Sequence, residues 1–249
     1  MAMDWVKGWV TAPQTITQYT YVLNNPILYV DPSGMILQLF GGTEEQRAAV
    51  LSYMNTLSCD TLSVDQNGII LIVGRAVSPE LSAGTELIRR IVDNHNFTAV
   101  VGFDDDNGFF TVPNETTAFV LYHKSFSRRP GSGSGTKILF DPFGSVEVPT
   151  TGADGIVRNE DTPLYIALAH ELIHADRAMR GVWISGFRTD HRYRVDRRVG
   201  FLGIHYSIYE TVRTPDEELA VIGLRYNRSE DITENQIHSE HGLPLRGAY

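Results

Sequence analysis

Hydrophobic and polar positions along the chain follow two periods that trade places. Thr43-Glu-Glu-Gln46 is a capping box in front of a helical pattern, which predicts a helix to about Leu57. "TLSVDQNGIILIVG" alternates on both sides of Asn67-Gly68 and predicts a hairpin. "SPELSAGTELIRRIVDNH" returns to helical spacing, with Pro79 near its start. "FTAVVGFDDDNGFFTV" predicts a second hairpin, turning at Asn107-Gly108. Residues 117–126 alternate like a half-buried strand, "RRPGSGSGT" reads as a mobile loop, and "KILFDP" and "SVEVPT" add short strands. Strands dominate the first half of this region and helices the second, so the expected class is α+β.

The 249 residues suffice for one large domain, or one domain and a tail. With 42% hydrophobic and 20% charged residues, the composition is that of a soluble globular protein. No apolar run spans a bilayer, and the N-terminus lacks the basic and apolar regions of a Sec-type signal peptide. Secretion by a route that reads no such peptide stays open. Cys59 is the only cysteine, which rules out an intramolecular disulfide and any cysteine-rich zinc cluster. A metal would need His, Asp and Glu. The net charge of −9 argues against a general nucleic-acid binder. "RTDHRYRVDRR", residues 188–198, is the local exception, read either as a solvated loop or as a rim attracting an acidic partner. "DDDNG" lacks the alternate acids and the closing Glu of a calcium loop.

Residues 1–35 differ from the rest. "YTYVLNNPILYVDPSGM" is aromatic and β-branched, punctuated by Asn-Asn-Pro and Asp-Pro-Ser-Gly turn signals. Tyr19, Tyr21, Val22, Asn24, Asn25, Pro26, Asp31, Pro32 and Gly34 resemble, in order and spacing, the end of the rearrangement hot spot (Rhs) repeat core, with Met35 in place of the usual Leu. The resemblance implies a β-rich tail over 1–35, a boundary near Met35–Ile36, and a toxin domain over 36–249 released from the Rhs shell.

The chemistry is concentrated in "ALAHELIHADRAMRG", residues 167–181. His170 and His174, four apart on a helix opened by Asp161-Thr-Pro163, bring their rings within about 6 Å on one face. Both then reach one zinc ion at about 2.0–2.1 Å. Glu171 sits beside that face, where a carboxylate takes a proton from water at the ion. A chain of this composition produces the pattern by chance about once in 70, so context has to carry it. The motif lies mid-helix, with Ala167, Ala169, Leu172 and Ile173 where a surface helix would carry polar residues. Leu164, Leu168, Leu172 and Ala175 form the expected apolar stripe. His205 and His123 read as structural, and His191, His238 and His241 as solvated.

Zinc needs a third protein ligand. Arg177 and Arg180 stand where a metzincin has Gly and His. "TPDEELAVIG", residues 214–223, offers Glu217 and Glu218 in a first helical turn. "HELIHADRAMRG" followed by "EELAVIG" resembles the clostridial neurotoxin light chains and the type III effector metallopeptidases of plant and animal pathogens. That resemblance implies Glu218 as the ligand, with Glu217 supporting the site or replacing it as ligand. Those families also place Arg-x-x-Tyr over the zinc, which here implies Arg246 and Tyr249 stabilising the oxyanion, on a docked C-terminal segment.

The expectation is therefore a zincin-like, gluzincin-like fold, with a twisted mixed sheet packed on the 163–180 helix and an edge strand near 117–122 to hold substrate. The expected activity is a Zn2+-dependent endopeptidase, catalysed by Glu171 and delivered as a secreted Rhs-type toxin into the cytoplasm of a recipient cell. The expected partners are a protein substrate there, the Rhs shell before release and a cognate immunity protein, with no nucleic acid and no membrane span. A nuclease toxin and a zincin-shaped binding module without turnover are the alternatives.

Overall fold

The computed structural model describes residues 37–103, 108–114, 121–122, 128–199 and 204–249, all within the unit Ile36–Tyr249. The Rhs-like motif, most of the expected 117–126 strand, the "DDDN" acids and His123 lie outside the described residues.

The architecture is α+β. The first sheet has the order β1 (Leu37–Leu39), β4 (Ala99–Phe103), β8 (Thr136–Phe140), β5 (Phe109–Pro113). β1, β4 and β8 run parallel, and β5 pairs antiparallel with β8 at the edge. This corrects the hairpin expected at Asn107-Gly108, because β8 lies between its two arms. A turn signal specifies local reversal and leaves the pairing partner open. The central place goes to β8, whose Ile138 and Phe140 are fully buried, while Phe110 and Val112 of β5 keep one face in solvent. β2 (Thr61–Val64) and β3 (Ile70–Gly74) form the expected hairpin, with Gly68 at φ 80° in its turn.

The second sheet has the order β12 (Ile204–Pro215), β11 (Arg188–Val199), β10 (Val157–Thr162), β9 (Val146–Thr151). The arginine-rich stretch read as a loop or rim is β11, paired with β12 along its whole length. Alternation of Arg192 and Arg194 with His191, Tyr193 and Val195 is a strand pattern that a charge count conceals. Leu121–Tyr122 (β6) pairs with Arg128–Arg129 (β7) in a separate two-stranded sheet, so this part of the expected substrate strand is not at the edge of either large sheet.

Helix α1 (Glu44–Leu57) begins at the predicted capping box, and α2 (Ser82–Val92) begins three residues after Pro79. α3 (Leu164–Met179) starts on Pro163 and lies against α1, α2, β5 and β8. It is not a one-striped surface helix. Ile166, Leu168, Ala169, Leu172, Ile173 and Ala175 are all fully buried and join one core with Leu37, Val101 and Phe140. Each such Leu or Ile contributes about 1.5–3 kcal/mol by leaving water, so the motif helix is central to stability. α4 (Asp216–Ile222) and α5 (Glu234–Glu240) follow the second sheet.

The stretch expected to be a mobile loop is docked on the end of α3. Gly131 N donates to Gly181 O at 2.7 Å and Ser134 N to Ala178 O at 3.1 Å. Gly133, at φ +89°, approaches so closely that a Cβ would sit 2.0 Å from Met179 O. Here the glycines serve close approach. Among the described residues no helix is long and apolar enough to cross a membrane.

Candidate metal centre

α3 delivers His170 and His174 from one face, with ring centroids 4.8 Å apart. α4 delivers Glu218 from its first turn, because Pro215 begins that helix and leaves Asp216, Glu217 and Glu218 at its positive end. The three ligating atoms form a small triangle. His170 Nε2 to His174 Nε2 is 3.2 Å, and Glu218 Oε2 lies 3.2 Å from the first and 3.4 Å from the second. A tetrahedral zinc with bonds of about 2.0–2.1 Å sets its ligand atoms about 3.3–3.4 Å apart. Among the described residues, these are the one group whose donor atoms converge in this way.

Both histidines have a carboxylate behind the ring. His170 Nδ1 donates to Glu234 Oε2 at 2.7 Å, which leaves the Nε2 lone pair facing the triangle. His174 Nδ1 lies 3.6 Å from Glu217 Oε1, and its ring packs on Trp183 at 4.9 Å between centroids. Glu218 Oε2 is buried without a hydrogen-bond donor. Three electron-rich atoms this close repel one another unless a cation or protons sit among them, and a divalent ion fits that need.

Without an ion, protons fill the role. Burial opposes charge on His170, yet Glu234 and Glu218 prevail and raise its pKa to about 9. For His174 burial again opposes, and Glu218 and Glu217 raise it to about 10. Burial also works against charge on Glu218, but the two imidazoles hold its carboxyl far below the usual range.

Glu217 is placed as a support. It takes Arg177 through Nε at 2.8 Å and NH2 at 3.0 Å, and accepts from Ile184 N at 2.7 Å. Arg177, 1% exposed, also reaches Asp231 at 2.5 Å. Asp231 did not stand out in the sequence, and Arg177 did so only as a departure from the metzincin pattern. The arginine that breaks the metzincin pattern is the residue that anchors α4 to α3.

Glu171 is buried beside His170. The Thr111 hydroxyl lies 2.8 Å from Glu171 Oε2 and 3.1 Å from its carbonyl oxygen. Both His170 and Glu171 open onto a cavity of about 270 Å3, walled by Phe109 of β5 and by Val146 to Pro149 of β9. Arg246 and Tyr249 line it as well. Their segment is docked, as expected: Arg246 bridges Thr150, Gly247 N donates to Pro149 O at 3.0 Å, and His191 Nε2 donates to Gly247 O at 2.8 Å.

Arg246 NH1 pairs with Glu234 at 2.9 Å, while its buried Nε keeps no partner. The guanidinium lies 5.7 Å from the Tyr249 ring centroid. Burial, together with Glu218, raises the Tyr249 pKa, so the phenol stays a donor.

Two further residues escaped the sequence reading. Glu234 touches His170, Arg246 and His238. Its signal was a second capping box, Thr233 to Gln236, which opens α5 and puts Glu234 in the first turn. Thr111 carried no signal. His238, expected in solvent, is 2% exposed, with Nδ1 donating to Pro244 O at 2.6 Å. His191 and His241 are half-buried. The exposed-histidine expectation followed from polar neighbours in sequence, and those neighbours face elsewhere.

A family model for effector proteins, Peptidase_M91, matches residues 79–249. The chain belongs to this family of peptidase effectors. The matched stretch runs from the approach to α2 through Tyr249 and contains His170, Glu171, His174, Glu218, Glu234 and Arg246. No curated protein matches the chain.

Proposed function

We propose that this protein is a zinc-dependent endopeptidase with a zincin-like catalytic domain over residues 36–249. The observation that carries the proposal is the triangle of His170 Nε2, His174 Nε2 and Glu218 Oε2, with sides of 3.2 to 3.4 Å. Zinc bound by these three residues would acidify water and polarise a peptide carbonyl.

The chain's own groups account for the proton movements. Glu171, oriented by Thr111, takes a proton from the attacking water and returns it to the amine nitrogen as the C–N bond breaks. Arg246 and Tyr249 line the cleft, and their guanidinium and phenol would be the donors for the charge that grows on the carbonyl oxygen. Ahead of the stretch that the C-terminal segment covers, β9 offers a backbone edge at Glu147 along which an extended substrate would lie.

Biologically, we propose a secreted Rhs-type toxin, freed from its shell near Met35–Ile36, that cuts a protein in the recipient cytoplasm and is restrained in the producer by an immunity protein. The test combines metal analysis with mapping of new protein termini in recipient lysate. One zinc per chain is expected, with cuts that fall about 10³-fold in Glu171→Gln. Stoichiometric zinc with equal activity in Glu171→Gln, or degradation of DNA or RNA instead of protein, refutes the reading.

A further inference from the structure

The catalytic cleft continues into a second chamber of about 460 Å3. The two share Glu147, Pro149 and Tyr249 as walls. Register explains the floor of the second chamber. Asn159 stands opposite Pro149, Val157 opposite Val195, and Tyr193 opposite Glu210, so these residues project from one face of the second sheet. A chain lying in the catalytic cleft thus has a side chamber within reach, one or a few residues from the bond that is cut.

The chemistry of that chamber has one sign. Glu147 and Glu210 line it together with Asn159, Tyr193 and Tyr249, Asp196 borders it from a strand position whose side chain projects from the other face, and no basic side chain lines it among the described residues. Glu210 is engaged within the fold. Glu147 is exposed on edge strand β9, at the boundary of both chambers, and its side chain enters no hydrogen bond or ion pair among the described residues. Tyrosine faces add attraction for a cation. The chain's net charge of −9 draws cationic segments from a distance.

We infer that the second chamber is a specificity subsite for a lysine or arginine side chain next to the scissile bond, with Glu147 as the carboxylate that selects it. The substrate class is then an extended protein segment carrying a basic residue within about three positions of the cut, since a residue spans about 3.3 Å in extended chain. This inference rests on the peptidase reading.

The test uses the full zinc-loaded chain on a peptide library generated by cleavage at acidic residues, which keeps Lys and Arg internal. Wild type, Glu147→Gln, Glu147→Lys and, as an inactive control, Glu171→Gln are compared. The wild-type cuts should be enriched in Lys or Arg at one fixed position. On the best such peptide and its Lys-to-norleucine partner, the wild-type preference should be about fivefold or more in kcat/KM, carried mainly by KM. Glu147→Gln should remove most of it, and Glu147→Lys should reverse it toward acidic residues.

Cuts with no basic preference, or a preference that survives both Glu147 variants while circular dichroism shows them folded, overturn the inference and leave the peptidase reading standing. Absence of any cut by wild type overturns the peptidase reading, and this inference with it.

Discussion

Glu234 grips His170 from the side of the ring opposite Glu218: Nδ1 to Glu234 Oε2 is 2.7 Å, and Nε2 to Glu218 Oε2 is 3.2 Å. One ring is thereby clamped between two carboxylates with different duties. Glu234 sets the tautomer, and Glu218 would share the proposed ion. The same Glu234 takes Arg246 NH1 at 2.9 Å, so the proposed metal ligand and the proposed oxyanion donor are positioned by a single buried group.

Glu234→Ala should therefore weaken zinc binding about 10–100-fold, the usual effect of losing the partner behind a ligating histidine. Glu234→Gln, which still accepts from Nδ1, should recover part of it. Chelator competition measures both. An unchanged affinity in Glu234→Ala would show that His170 needs no partner.

Thr111→Val should lower kcat about tenfold while leaving zinc affinity unchanged, because the hydroxyl touches Glu171 and none of the ligands. Steady-state kinetics and metal titration on the same preparation separate the two effects. A loss confined to KM would argue against a role in orienting the base.

Arg177→Met should cost about 3–5 kcal/mol of stability, since it leaves Glu217 buried without its cation, whereas Asp231 keeps Arg180. Urea unfolding of the metal-free protein reads this directly. The double change Arg177→Met with Glu217→Met should be less damaging than the single one, because it leaves fewer uncompensated charges.

Zinc binding should release close to two protons at neutral pH, since His170 and His174 titrate near 9 and 10 without metal and must be neutral as ligands. Calorimetry in buffers of different ionisation enthalpy counts them. The raised pKa values also set a stability trend for the metal-free protein. The contribution of the two imidazoliums is complete below their free-chain value of about 6.5 and disappears as pH rises through about 9 and 10. Thermal unfolding in chelator should decline over that window, whereas the zinc-loaded protein should not follow it.

The sequence by itself determined what adjacent residues can settle among themselves. Thr43 and Gln46 form a capping box in any context, Asn67-Gly68 reverses a hairpin, and His170, Glu171 and His174 share a helix because 3.6 residues make a turn. Glu217 and Glu218 were legible for the same reason, as two carboxylates in the first turn of a helix opened by Thr214-Pro215, and only the family resemblance chose Glu218 between them.

Tertiary structure decided what depends on contact between distant segments. The placement of β8 between β4 and β5, the docking of the glycine-rich stretch on α3, the burial of His238 and the clamp of Glu234 on His170 join residues tens of positions apart. Local spacing carries no information about such pairs. Burial then reverses local polarity. Arg177 reads as a surface charge on its own helix, yet it is interior because two carboxylates from later segments converge on it.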